Sequence, residues 1–220
     1  MLVWCINLSL SMKLRDSLYD LWVMDLNHPF VVELYSGSLP LEKFKYYILQ
    51  DYNYLVSMVK VLSLLAAKAP TLELARLALE LAYGTVTGEM ENYRRLLNML
   101  NLTIDDAIKT KPNMTNVSYM SFLIATASLE NFYSGLASIL PCMWTYMDIA
   151  ELHKDKLKDN KVEVYRVWAL TYLSDDYRKL VYILRDAIDK SNLSLEQLHP
   201  FFERALRYEI MFWDSSYRMD

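Results

Sequence analysis

Glycine and proline are scarce. Four Gly and six Pro in 220 residues are too few for a sandwich or barrel with many tight turns, or for Gly-rich phosphate loops. Cysteine is scarcer: Cys5 and Cys142 cannot make a disulfide framework. The histidines, His28, His153 and His199, do not pair at metal-ligand spacing. Glu196-x-x-His199 is one copy of a motif that a di-iron bundle uses twice. Lys and Arg are dispersed in a chain of net charge −4, which leaves no basic stripe for nucleic acid. No apolar run reaches 18 residues without a charge or a strongly polar residue, so no membrane-crossing helix is expected. No metal, cofactor, nucleic acid or membrane is therefore expected as a partner.

What remains is apolar and aromatic. Hydrophobic residues make up 54% and charged residues 23%, with 17 Tyr, 7 Phe and 5 Trp. A chain of this length can bury about 70% of its unfolded surface and needs no staples. The phenols imply either wet aromatic surfaces or a polar-aromatic pocket. Residues 1–11, MLVWCINLSLS, lack the positive start and small-residue cleavage site of a signal peptide. They read as an extension to a single domain over 12–220, in a cytoplasmic protein with reduced thiols.

The domain reads as helices. Leu14, Leu18, Leu21 and Trp22 fall at helical spacing over Met12 to Asn27. His28-Pro29 breaks the run. A short turn or helix over Phe30–Tyr35 and a Gly37 turn lead to a long helix from about Leu41 to Lys68. Thr71 caps a helix to about Leu100, with Gly84 and Gly88 inside it as sites of bending or close packing. A short helix near Asp105–Lys109 precedes an apolar helix from Val117 to Leu140. Pro141 marks a kink or fresh start, and helix continues to His153. Val162 to Lys190 follows. Ser194, with Gln197 three residues on, caps the last helix to about Tyr217. The prediction is an all-α bundle of seven or eight helices.

Several constellations could carry chemistry. Tyr47, Asp51 and Tyr54 stand at i, i+4, i+7, so one helical face shows ring, carboxylate, ring. That suits a flat hydrogen-bonding heterocycle; equally, it suits a surface acid between core tyrosines. Pro141 predicts a helix start that would place Cys142 among unpaired amides and lower its pKa, with Tyr146 on the same face. The result is a nucleophile or, alternatively, a buried structural thiol. Glu209 lies on an apolar stripe with Phe202, Ala205 and Phe212. If buried, desolvation would raise its pKa into a general acid/base range; if exposed, it is a salt-bridged surface acid.

These residues share further company: His28-Pro29-Phe30, Gly37-Ser38-Leu39, Gln50-Asp51-Tyr52, Leu140-Pro141-Cys142 with Trp144 and Tyr146, Trp168 with Thr171-Tyr172, and Tyr208-Glu209 with Phe212-Trp213-Asp214. Together they resemble the TenA/THI-4 family, the thiaminase II or aminopyrimidine aminohydrolase group, from Met12 to Tyr217. The resemblance implies a heme-oxygenase-like fold, a homotetramer, and a deep site for a small aminopyrimidine. Cys142 matches the cysteine-bearing branch and would be the nucleophile. Asp51 would hold the ring nitrogen and amine, and Glu209 would pass protons to the leaving group and water. Tyr54 and Phe212 would flank the ring. Tyr146 and Tyr172 would orient the thiol or carboxylate, and Tyr119 would reach the ring edge beside Tyr47. The competing readings are a non-catalytic binder of flat ligands, a regulatory partner protein, and a heme protein with His28 as ligand, against which Pro29 argues.

Overall fold

A computed structural model describes residues 8–220, and among them every regular element is helical. In order these are α1 (Leu10–Ser17), α2 (Tyr19–Leu26), α3 (Pro29–Ser36), α4 (Leu41–Lys68), α5 (Leu72–Gly84), a π turn (Thr85–Glu89), α6 (Met90–Met99), α7 (Ile104–Lys109) and α8 (Met114–Leu129). Then follow α9 (Phe132–His153), a 3-10 turn (Lys154–Lys158), α10 (Glu163–Tyr172), α11 (Asp175–Asp189) and α12 (Leu195–Arg218). The all-α class is as expected. The segments are more numerous because four expected helices are interrupted, one of them in place of the expected break at Pro141. Most of the expected extension, residues 1–7, lies outside the described residues, and helix begins at Leu10.

Local chemistry sets the boundaries. The helix expected over Met12–Asn27 divides at Leu18, whose φ of −122° and ψ of 28° leave the helical region. The one expected over Val162–Lys190 divides at Ser174, whose hydroxyl accepts from Tyr177 N while Asp175 and Asp176 meet the positive helix start. Gly84 and Gly88 mark the π turn rather than a tight packing point: a Cβ on either would meet nothing within 4 Å. At the last helix, Gln197 Oε1 accepts from Ser194 N at 2.8 Å. Gly37 is at φ +84°, the left-handed position that closes α3.

The expected break at Pro141 does not occur. The chain breaks instead at Glu130, and Asn131 caps α9 by accepting from Ser134 N at 3.0 Å. Pro141 sits inside α9, where it removes only the bond to the carbonyl one turn earlier. Packing holds the helix through it: α9 is buried almost all round, and α4, α8, α11 and α12 all pack on it. Each large side chain fully buried there, such as Leu140 or Trp144, contributes roughly 1.5–3 kcal/mol. Two apolar clusters fill the bundle, and Cys142 and Tyr177 are packed against both. Their junction is where the interior opens.

Candidate active site

At that junction lies a cavity of about 450 Å³. Each of the nearest helices delivers side chains at one-turn spacing. α4 presents Tyr47, Asp51 and Tyr54; α9 presents Cys142 and Tyr146; α12 presents Glu209 and Phe212. Tyr119 comes from α8 and Tyr172 from α10. All nine residues singled out in the sequence thus line one cavity.

Aromatic packing makes its floor rigid. Tyr47 stacks on Trp213 at 5.4 Å and tilts against Phe212 at 5.5 Å between centroids. Tyr146 meets Tyr172 at 4.9 Å and Trp213 at 5.1 Å. The Tyr47 and Tyr146 hydroxyls are 3.2 Å apart. Tyr54 packs on Tyr119 at 5.3 Å. Offset and tilted pairs of this kind are worth about 0.5–1.5 kcal/mol each beyond their buried area.

Glu209 is 1% exposed. Burial pushes its carboxyl up to about 7, while hydrogen bonds from Tyr119 and Cys142 hold it down. The Tyr119 hydroxyl donates to Glu209 Oε1 at 2.5 Å. A carboxyl titrating there exchanges protons near neutral pH. Burial also raises Asp51 well above the carboxylate range, with the charges of Glu89 and then Glu209 adding to the rise.

The thiol departs from expectation. Cys142 lies within α9, one residue past an internal proline, and not at a helix N-terminus. The amide donors expected to favour a thiolate are used up in the helix. Burial, then the Glu209 charge, pushes Cys142 well above its ordinary value, and the nearby Tyr54 hydroxyl only partly offsets this. Cys142 is therefore a protonated thiol at rest. No Lys, Arg or His lines the cavity among the described residues, so nothing on the wall itself supplies a positive charge to lower it.

Some lining residues escaped the sequence reading. Tyr177 reaches the cavity from α11 and donates to the Met143 carbonyl at 3.0 Å. Glu89 lines it from the last position of the π turn, which Gly84 precedes and Gly88 lies within. The pair of glycines inside a helical run was the available signal. His28 sits elsewhere. Its Nδ1 accepts from Phe30 N at 3.1 Å as the cap of α3, and its Nε2 lies 3.2 Å from Asp214 Oδ1. Both ring nitrogens are engaged, which argues against a heme ligand. Among the described residues no cluster of three or more His, Cys, Asp or Glu has metal-holding geometry. No helix among them is long and apolar enough to cross a membrane.

A sequence model of the TENA/THI-4/PQQC family matches residues 15–219. An aminopyrimidine aminohydrolase from Bacillus subtilis (strain 168) is 31% identical over 217 residues, spanning 96% of this chain and 90% of that protein. A TenA homologue protein from P. horikoshii OT3 superposes with a TM-score of 0.93 at 45% identity, covering 97% of this chain and all of that one (100%). A domain from Shewanella denitrificans OS217 described as having a heme oxygenase-like fold superposes at a TM-score of 0.78 with 13% identity, a likeness of fold alone.

Proposed function

Because the chain belongs to the TENA/THI-4/PQQC family, we propose that it is an aminopyrimidine aminohydrolase acting in thiamin metabolism. Its substrate on this reading is 4-amino-5-aminomethyl-2-methylpyrimidine, converted to the 5-hydroxymethyl form, with thiamin as a further substrate. The observation that carries the proposal is the placing of Cys142, Asp51 and Glu209 around one ring-lined cavity, with Glu209 held at about 7.

The chemistry follows from these groups. Asp51 holds the ring's amidine face and draws electron density from the ring carbons. Glu209, as carboxylate, takes the Cys142 proton. The sulfur adds to the ring carbon beside the substituted one. The displaced electron pair moves to the substituted carbon and expels the amine, leaving an exocyclic methylene. The amine, which enters as an ammonium, departs as ammonia, and the ammonia then takes the proton from Glu209. Glu209 then takes a proton from the water that attacks the methylene. Return of the electron pair to the ring expels the sulfur, which recovers the proton from Glu209. Substrate ammonium and water become alcohol and ammonium, with no redox change. Tyr54 and Phe212 flank the ring, Tyr119 reaches its edge and fixes Glu209, and Tyr47, Tyr146 and Tyr172 shape the floor. A cationic substrate would offset the acid charges that raise the thiol.

The proposal includes a cytoplasmic setting and assembly as a homotetramer. The exposed apolar side chains of Leu72, Leu79, Tyr83 and Val86 along α5 and the π turn support assembly.

Ammonia release from the aminomethylpyrimidine tests the reading. The parent should turn over, and Cys142→Ala should lose about 10³-fold or more in kcat. Binding without turnover in the parent would favour a non-catalytic pyrimidine-binding protein. Equal turnover by Cys142→Ala would remove the nucleophile.

A further inference from the structure

We propose that Glu89 selects substrates whose leaving amine enters as an ammonium, and so sets the preference of the site for aminomethyl over hydroxymethyl pyrimidines. The inference rests on the aminohydrolase reading and deepens it.

Glu89 has no role in the chemistry above, yet it lines the same cavity. The π turn puts it there. The wider turn shifts register between α5 and α6 and carries Glu89 at its last position. π turns of this kind concentrate at functional sites. Gly84, just before the turn, and Gly88, next to Glu89 within it, also line the cavity, and a Cβ on either would face open space. Glu89 and both glycines are exposed, so Glu89 stands at the open mouth of the cavity.

Its charge has no basic partner among the described residues, and only the Thr85 side chain opposes the rise that desolvation gives it. Among the described residues Glu89 forms no ion pair, whereas Glu80, which also lines the cavity, is paired with Arg76 at 3.2 Å. Of the neighbouring charges acting on Asp51, Glu89 is the largest, ahead of Glu209. An unpaired carboxylate facing a cavity without a basic residue favours a cation as ligand.

The position fits the substrate. On the pyrimidine, the aminomethyl carbon is attached next to the carbon bearing the ring amine. A ring whose amine is held by Asp51 directs its aminomethyl arm to the side of Asp51, where Glu89 bears. An aliphatic amine is protonated at neutral pH, so the arm arrives as an ammonium. A charge-assisted hydrogen bond to Glu89 holds it there. The hydroxymethyl product carries no charge on that arm and loses this contact, which favours its release.

The test compares two compounds on one ring, the aminomethyl and the hydroxymethyl pyrimidine, by titration calorimetry and by ammonia release. Glu89→Gln keeps the shape and removes the charge. It should weaken binding of the aminomethyl compound tenfold or more and leave the hydroxymethyl compound within about threefold of the parent. KM should rise more than kcat falls. Glu89→Asp should restore part of the preference. Retained hydroxymethyl binding also reports that the variant is folded. Equal weakening of both compounds, or an unchanged ratio, overturns the selection role while the parent's turnover leaves the aminohydrolase reading standing. A parent that neither binds nor turns over either compound overturns both.

Discussion

The shortest polar contact in the cavity joins Tyr119 to Glu209 at 2.5 Å. It sets the acid limb of the reaction. Burial raises Glu209, and the Tyr119 hydroxyl, by donating to the charged form, opposes that rise. Glu209 must be ionised to accept the Cys142 proton. Hence kcat/KM should rise with pH up to about 7 and level off above it. Tyr119→Phe deletes the donation, so the limb should move to higher pH by about one unit, the equivalent of one good hydrogen bond. A pH profile of ammonia release that stays in place would remove Tyr119 from this role. Position was legible here from the sequence, and so was the rise of Glu209 on its apolar stripe, but the state of Cys142 was not. One-turn spacing put Tyr47, Asp51 and Tyr54 on one face, and likewise Cys142 and Tyr146. The state of Cys142 depends on how deeply α9 is buried and which acids surround it, and no local rule about proline carries that information.

Between helices, two glycines with the same helical backbone have opposite uses. At Gly135 in α9 a Cβ would come within 2.3 Å of Leu65 Cδ2 on α4, and Leu65 is 1% exposed, with little room to move. Gly135→Ala should therefore cost about 1–3 kcal/mol in urea unfolding, the range for overpacking a filled core. At Gly84 the added methyl meets nothing within 4 Å, and φ is −57°. Gly84→Ala should leave stability unchanged or raise it by about 0.5–1 kcal/mol through helix propensity. A stable Gly135→Ala or a crippled Gly84→Ala would mean that the α4–α9 spacing differs from that described. Sequence reading gave both glycines as helical but could not rank them, because the ranking is set by the facing helix. The boundaries behave similarly. Ser174-Asp175-Asp176 and Asn131 carried ordinary capping chemistry that a strong apolar period obscured, while the π turn has no local signature beyond its glycines.

Across the whole molecule, the cavity is balanced by a hidden cost in buried acid. Asp25 on α2 is fully buried, and neither of its carboxylate oxygens has a hydrogen-bond partner among the described residues. Burial, and then the charge of Glu209, raises it well above the carboxylate range, with Thr145 and Trp213 opposing. Glu209 is raised to about 7. Both groups are held protonated in the fold at pH values where the unfolded chain ionises them. The stability they allow is fully present below the unfolded carboxyl value, about 4. It is lost as pH climbs from there through the folded value. For Glu209 a rise from 4.5 to about 7 corresponds to about 3 kcal/mol. Thermal unfolding of the unliganded protein should therefore show Tm falling between pH 4 and pH 7, against the usual gain as acid denaturation is relieved. Asp25→Asn is neutral at every pH, so it should flatten that fall and stabilise the protein at pH 7. Because Asp25 does not line the cavity, the variant separates this cost from the chemistry. If Tm instead rises steadily to pH 7 in both proteins, the buried acids are ionised and paired in solution, and the electrostatic account of the cavity would have to be rebuilt around a cation that neutralises them.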